Sequence, residues 1–494
     1  MKFAVVLTAL YILFCLLTFK HFGVTSDEYV EYQSGKALLH YYQTGSQSKN
    51  FNISERHFPT ESTYFRGHLA LFSFLNPKGY YENYHLLNML FALPIFLMFY
   101  ALLLHTYKDQ KIAFVGTLFL FATPRFLGDL PANPKDVPFA VFYFLTLGAI
   151  YLFHQKKQNF IISSVAIGLL IGVTTSFRLV GASLFVVMFF YYAKRSPVTA
   201  LRDSVISFFI SILALVLLLP LFSQGVLEGL KVLVESSTNF EYWNNKMLFM
   251  GKFLSKEQRP FYYLPVWLAI TTPLYQIVLL VILPFLIYFR KVKRAGLLYF
   301  FGFAFTVNLL AYLLINPVIY NGLRHFLFLV PILSLLACLS AIDLFTFLNS
   351  RAGNFKFVHL ILISFLFLVT VINITKSHPY EYIYFNELSG GLKKAIGNYD
   401  TDYWGASYKE MSEWLLKNPA KTRSINVYTC DMPFAVSYYS KKLFQVVSDE
   451  SEADFIVCDV DNVPQKKYDL PVVYSVDRGG VSLGSVFDSS SLKK

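Results

Sequence analysis

Long apolar runs alternate with short polar breaks over most of the chain. They fall at Phe3–Thr18, Leu86–Leu104, Ile112–Leu127, Val137–Phe153, Phe160–Thr175, Leu179–Ala193, Val205–Phe222, Leu264–Phe289, Ala295–Ile315, Phe326–Phe347 and Phe357–Ile374. A helix of roughly twenty apolar residues crosses a bilayer core, so the pattern predicts about eleven membrane spans, the third short and interrupted by Pro124. Two polar stretches, 20–83 and 223–262, break the series. Within the first, Gln33–Thr44 sets Leu38, Leu39 and Tyr42 on one side, predicting a short amphipathic helix lying in the interface. Beyond residue 375 the chain is too polar to insert. Tyr408–Leu416 and Met432–Tyr439 read as helices there. Ile425–Tyr428, Leu443–Val447, Asp454–Val460, Val472–Val476 and Val481–Val486 read as strands, with Asp477-Arg478-Gly479-Gly480 as the turn between the last two. The expected fold class is therefore a polytopic α-helical membrane protein with a small C-terminal α/β domain. The expected organisation is a membrane part over 1–375, a connecting segment over 376–420 and the α/β part over 421–494.

Charge sets an orientation on this pattern. Starting from a cytoplasmic Lys2, alternate loops carry Lys108 and Lys111; Lys156 and Lys157; Lys194, Arg195 and Arg202; Arg290, Lys291, Lys293 and Arg294; Arg351 and Lys356. Each is short and basic, as cytoplasmic loops are. The N-terminus is thus expected inside and the tail outside. Only 15% of the 494 residues are charged and 55% are hydrophobic, against about a quarter charged in soluble domains. The net charge of +12 sits in these anchoring loops, which argues against a nucleic-acid partner. Thr18-Phe19-Lys20-His21 has no small-x-small cleavage pattern, so the first run is expected to stay as a span. Cys15 and Cys338 fall in apolar runs as packing residues. Cys430 and Cys458 fall in the tail, where an extracytoplasmic location would let them pair.

Against that orientation, the unusual polar residues share the outer face. Thr25-Ser26-Asp27-Glu28-Tyr29 follows the first span. Acids at a span mouth are costly near hydrocarbon and tend to face a water-filled cavity with a function. A carboxylate there suits a general base, so Asp27 is the candidate base with Glu28 beside it. Asn133-Pro134-Lys135-Asp136-Val137-Pro138 is short and stiff, presenting Lys135 and a second carboxylate, Asp136, at the rim. Arg178 lies between two apolar runs, and Arg324-His325 precedes the tenth. A guanidinium grips phosphate through its planar fork, so arginines at these span ends suit a lipid-linked phosphate. Arg259-Pro260-Phe261-Tyr262-Tyr263 and Glu241-Tyr242-Trp243 bracket the middle loop. Such aromatics ordinarily form an interfacial belt; Tyr263 is the one carried forward as a surface for a sugar or isoprenoid. There is no Walker A loop, dinucleotide-binding glycine motif or Cys/His metal cluster.

These features together resemble the GT-C glycosyltransferases, and within them the group containing protein O-mannosyltransferases and the lipid A aminoarabinose transferase. The resemblance rests on Asp27-Glu28 in the first outer loop and on Asp136 after a short third span. It rests also on the segment from Trp243 through Met250-Gly251-Lys252 and Arg259 to Pro265 with Thr272-Pro273, and on Arg324-His325-Phe326 with Pro331. Tyr384-Phe385-Asn386-Glu387, Gly390-Gly391 and Asp402-Tyr403-Trp404-Gly405 of the tail add to it. It covers about residues 1–416 and leaves the α/β part unmatched. It implies a polyprenyl-phosphate-linked sugar as donor and an inverting transfer to a protein, lipid or glycan acceptor at the outer membrane face. Asp27 would be the base and Asp136 a supporting acid, with phosphate contacts from Arg178, Arg324 and His325. A need for a divalent metal stays open, since the first loop carries His57 and His68 without a matching pattern.

Two other classes compete. An O-antigen-type ligase or polymerase would rest its chemistry on Arg and His without an acid pair in the first loop. A transporter of lipid-linked sugars would place paired charges at mid-membrane and show inverted repeats; the span centres here are nearly free of charge.

Overall fold

The apolar runs fold as helices whose breaks fall at prolines and polar caps. The computed structural model describes residues 2–45, 64–156, 159–238, 246–289, 292, 295–351, 356–418, 424–460 and 469–489. His57, Lys157, Glu241-Tyr242-Trp243, Arg290, Lys291, Lys293 and Arg294 lie outside the described residues. The chain begins with α1 (Lys2–Thr18), α2 (Ser26–Thr44), α3 (Gly67–Leu75), α4 (Tyr81–Phe91), α5 (Leu93–Tyr107), α6 (Gln110–Phe121) and α7 (Pro124–Ala132). It continues through α8 (Asp136–Lys156), α9 (Phe160–Phe177), α10 (Ser183–Ala193), α11 (Pro197–Leu218) and α12 (Val226–Thr238). A small hairpin, β1 (Met247–Phe249) with β2 (Lys252–Leu254), precedes α13 (Tyr263–Thr271), α14 (Leu274–Tyr288), α15 (Ala295–Ile315), α16 (Leu329–Arg351) and α17 (Lys356–Ser377). The tail holds α18 (Gly391–Ala395), α19 (Tyr408–Lys417), β3 (Asn426–Thr429), α20 (Pro433–Ser440), β4 (Gln445–Val447), β5 (Phe455–Asp459), β6 (Val472–Arg478) and β7 (Val481–Asp488).

Among the described residues, 6 helical stretches are long and apolar enough to cross a bilayer, and 8 if each of two bent pairs counts as one. Three shorter apolar helices, Lys2–Thr18, Leu179–Ala193 and Ile361–Ser377, join them. The protein is an integral, multi-pass membrane protein.

The bent pairs depart from the straight spans that hydropathy predicts. α6 and α7 meet at 71°, and α13 and α14 at 115°. Each break falls at a proline, Pro124 opening α7 and Pro273 preceding α14, where the missing N–H and the ring cannot continue the helix before it. Broken helices in a membrane must have their freed carbonyls satisfied, and here the two breaks serve each other. Tyr275 Oη donates to the Phe119 carbonyl at 3.1 Å, and Gln276 Nε2 to Thr123 Oγ1 at 2.8 Å. The other bend is clasped from the tail. Asn386 Nδ2 donates to the carbonyls of Ala269 at 2.6 Å and Thr272 at 2.8 Å, and its N–H donates to Ile270 at 2.8 Å. Asn386→Ala removes both side-chain bonds and leaves buried carbonyls unmet. We expect it to cost about 2–3 kcal/mol, read as a lowered unfolding midpoint of the purified protein.

The tail sheet has the order β4-β3-β5-β7-β6, parallel where β3 pairs with β4 and β5 and antiparallel where β7 pairs with β5 and β6. The expected hairpin turn falls at Gly479 and Gly480, with φ of 59° and 79°, the left-handed backbone that a two-residue type I′ turn needs at both positions. Cys430 and Cys458 form a disulfide beside β3 and β5. The tail is not a loose appendage. Val24 and Tyr32, with Leu69 and Phe72 of α3, share one apolar cluster with Tyr382, Trp404, Met411 and Leu483. At Gly23 any added Cβ would fall on the Ala406 carbonyl, so only glycine permits this approach. Val24 N–H donates to Tyr439 Oη at 2.8 Å and Ser26 N–H to the Trp404 carbonyl at 3.1 Å. The first turn of α2 is thereby fixed against the tail.

Candidate active site

The helix read from the sequence as Gln33–Thr44 begins at Ser26 instead. The reason is local: Thr25-Ser26-Asp27-Glu28 forms a capping box, in which Thr25 and the side chain three residues on satisfy each other's backbone groups. Glu28 Oε2 accepts the Thr25 N–H at 2.8 Å. Its other oxygen lies 2.8 Å from His85 Nε2, with neither side chain exposed. Glu28, expected to bind substrate, is thus turned inward and engaged in holding the helix start. Asp27 takes the opposite place. It sits in the first turn, where the helix dipole favours a carboxylate, and its Oδ2 accepts from Arg324 Nη1 at 2.6 Å. The Asp27 side chain keeps 38% of its surface exposed and Arg324 only 8%, so the carboxylate can be reached while the guanidinium stays fixed.

Arg324 and His325 form a 3-10 turn ahead of α16. The segment Arg259–Tyr263 builds that turn. Arg259 Nη1 donates to the Pro317 carbonyl at 2.6 Å, and its other arm bonds the Asn316 side chain. Tyr263 Oη accepts the Gly322 N–H at 3.0 Å. Tyr263 is fully buried, so it supports the Arg324 loop and offers no ring face for a sugar. His325 is buried and surrounded by Arg178, Arg324, Lys135 and Arg259; desolvation first, then these charges, hold its pKa well below the usual histidine range. A neutral ring agrees with the bond it accepts, Arg324 Nε to His325 Nε2 at 3.4 Å.

Asp136 opens α8, and Asn133 ties it down. Its N–H donates to Asn133 Oδ1 at 2.9 Å, and its Oδ2 accepts from Asn133 Nδ2 at 3.2 Å. Its Oδ1 accepts from Arg178 Nε at 2.7 Å and also from Nη2. Both Asp27 and Asp136 act electrostatically on Arg324. Lys135 Nζ stands 3.9 Å from Glu31 Oε1 and 4.3 Å from the Tyr64 ring centroid. Residues from α2, the Asn133–Asp136 loop, the end of α9 and the loop before α16 therefore meet in one place: the expected carboxylates Asp27 and Asp136, with Glu31 and Asp129 beside them, among Arg178, Arg324, Lys135, Arg259 and a neutral His325.

Residues outside the sequence-based set also belong here. Glu31 lies one turn beyond Asp27 on the same face of α2 and bonds Arg66 Nε at 2.8 Å. The four-residue spacing from Asp27 is the signal that could have found it. Arg125, in α7, is 2% exposed and lies against Trp267, Phe385 and Tyr403. Its signal was a charge inside an apolar run. Among the described residues no group of three His, Cys, Asp or Glu side chains is placed to hold a metal ion.

Among solved structures, ArnT from Cupriavidus metallidurans bound to undecaprenyl phosphate matches over 99% of both chains, with TM-score 0.50 and 13% sequence identity. The fold is the GT-C fold. The apo state of the same protein matches with TM-score 0.49, 13% identity and 99% of both chains covered. At this identity the likeness is one of fold. No family model and no curated protein matches the sequence. The GT-C architecture runs the whole length of the chain, so it takes in the α/β tail that the sequence motifs leave unmatched.

Proposed function

We propose that this protein is an inverting membrane glycosyltransferase that moves a sugar from a polyprenyl-phosphate donor to an acceptor at the extracytoplasmic face. The observation that carries the reading is the Asp27–Arg324 pair at 2.6 Å, a reachable carboxylate held against a buried cluster of cations. Asp27 takes the proton of an acceptor hydroxyl or amine as that atom attacks the anomeric carbon. A bond forms between acceptor and sugar, and the bond between sugar and phosphate oxygen breaks on the opposite side. The charge developing on the leaving phosphate meets Arg324, Arg178 and Lys135, donors already held in place by their carboxylate partners. Neutral His325 can donate to the same phosphate. The binding of undecaprenyl phosphate to the similar ArnT chain supports a polyprenyl phosphate as the lipid carrier. The alternating basic loops and the Cys430–Cys458 disulfide support an outside tail.

Mass spectrometry of lipid co-purifying with the protein tests the donor class. A polyprenyl phosphate, free or glycosylated, is expected. Its absence, together with no binding of a synthetic short-chain prenyl phosphate, would overturn the reading.

A further inference from the structure

Four buried or half-buried arginines in this fold meet a carboxylate. Arg66 faces Glu31, Arg178 faces Asp136, Arg324 faces Asp27 and Arg478 faces Glu410. Arg66 and Arg178 do so with the same edge of the guanidinium, the Nε and Nη2 pair. Arg259 gives its two Nη groups to a carbonyl and an amide oxygen instead; Arg125 has neither kind of partner. It is 2% exposed, yet its Nε and Nη2 have no hydrogen-bond partner, and its Nη1 reaches only Tyr403 Oη, at 3.5 Å. Its guanidinium carbon lies 5.4 Å from the Trp267 ring centroid, 5.8 Å from Phe385 and 5.9 Å from Tyr403. Its Nη2 approaches Gly322, two residues before Arg324. Aromatic faces favour a cation but do not satisfy its N–H donors, and a buried cation with donors unmet is costly to keep. The unmet pair is the adjacent one that grips an oxyanion with two parallel bonds.

We propose that Arg125 is a second arm of the donor site, closing on a phosphate oxygen of the lipid-linked sugar from the side of Tyr403 while Arg324 holds it from the side of Asp27. The assignment rests on the transferase reading above. Arg125 Nη2 lies against Gly322, two residues before Arg324, and both guanidinium groups act electrostatically on Tyr403 and on Asp129, so the two lie on the same side of the Arg324 loop. Arg324 gives Nη1 to Asp27 and Nε to His325, which leaves a phosphate needing a further donor, and Arg125 has an unspent edge to give. The walls of this subsite come from α7, α13 and the tail, so the phosphate would bridge all three.

The test uses the full-length protein and citronellyl phosphate as probe, with citronellol as the uncharged control. Affinity is read from the fluorescence of Trp267, taken as the difference from a Trp267→Phe variant, and from the shift in unfolding temperature. Wild type is expected to bind the phosphate and not the alcohol. Arg125→Met is expected to unfold at a higher temperature than wild type without ligand, because an unmet charge has gone, and to bind citronellyl phosphate at least tenfold more weakly. Arg125→Lys keeps the charge and loses the fork; it is expected to fold as wild type does and to bind several-fold more weakly. Equal affinity in wild type and either variant would overturn this assignment and leave the transferase reading standing. A fall in unliganded stability with Arg125→Met, or its failure to fold, would make the guanidinium a structural strut and overturn it likewise. Failure of wild type itself to bind the phosphate would overturn both.

Discussion

Asp27→Asn is expected to abolish sugar transfer, with kcat falling by about 10²–10⁴-fold, the range that a positioned general base supplies. The substitution keeps the shape of the side chain and an oxygen for Arg324, but an amide cannot take a proton from the attacking acceptor. Arg324 is only 8% exposed, so the fold holds only because the amide oxygen still accepts from that guanidinium; a modest fall in unfolding temperature is expected. The expected signature is a variant that still expresses, unfolds modestly below the wild-type temperature and binds a prenyl phosphate, but releases no product. Initial rates, with the unfolding temperature measured on the same preparation, check this. Turnover at the wild-type rate would remove Asp27 from the chemistry, and a variant that is inactive because it is unfolded would give it a structural part instead.

Asp136→Asn should behave differently. Asp136 and Arg178 form a pair whose side chains are 3% and 16% exposed, and removing one partner strands a buried charge. Such a loss costs about 3–5 kcal/mol, so the expected result is poor yield and a markedly lowered unfolding temperature. Replacing both partners by apolar residues of similar size, Asp136→Leu with Arg178→Met, should recover much of the stability. It should not recover transfer, because the leaving phosphate then lacks Arg178. The comparison separates the two roles: if Asp136→Asn stays stable and only loses rate, Asp136 takes part in the reaction directly.

Local chemistry made much of this molecule readable in advance. The strands and helices of the tail fall within a few residues of their expected places because apolar–polar alternation and the Gly479-Gly480 turn are short-range signals. The apolar runs marked the membrane helices by a hydropathy rule that needs no tertiary structure. The capping box at Thr25–Glu28 was present in the sequence too, and reading it would have started α2 at Ser26 and turned Glu28 inward. The bends were half visible: Pro124 and Pro273 mark the breaks, but the angles depend on Tyr275, Gln276 and Asn386 satisfying what the breaks expose. What could not be read was convergence. Asp27 and Arg324 are 297 residues apart, and no periodicity relates them. Tyr263 looks like any interfacial aromatic until the loop it supports is known, and Arg125 like any anchor until its Nε and Nη2 are seen to lack hydrogen-bond partners.

The clasp formed by Asn386 has a further consequence for how the polypeptide comes to be finished. The bend at α13 is held by a residue translated long after that helix has been made, so the membrane helices leave synthesis with their sharpest corner unsecured. A ribosome that stopped before residue 386 would release a chain with the right number of apolar segments and an open hinge at the far end of α13 from Tyr263, which supports the Arg324 loop. The tail therefore works less as a separate module than as the last piece of the bundle, arriving from the aqueous side to lock a geometry that the helices alone leave free.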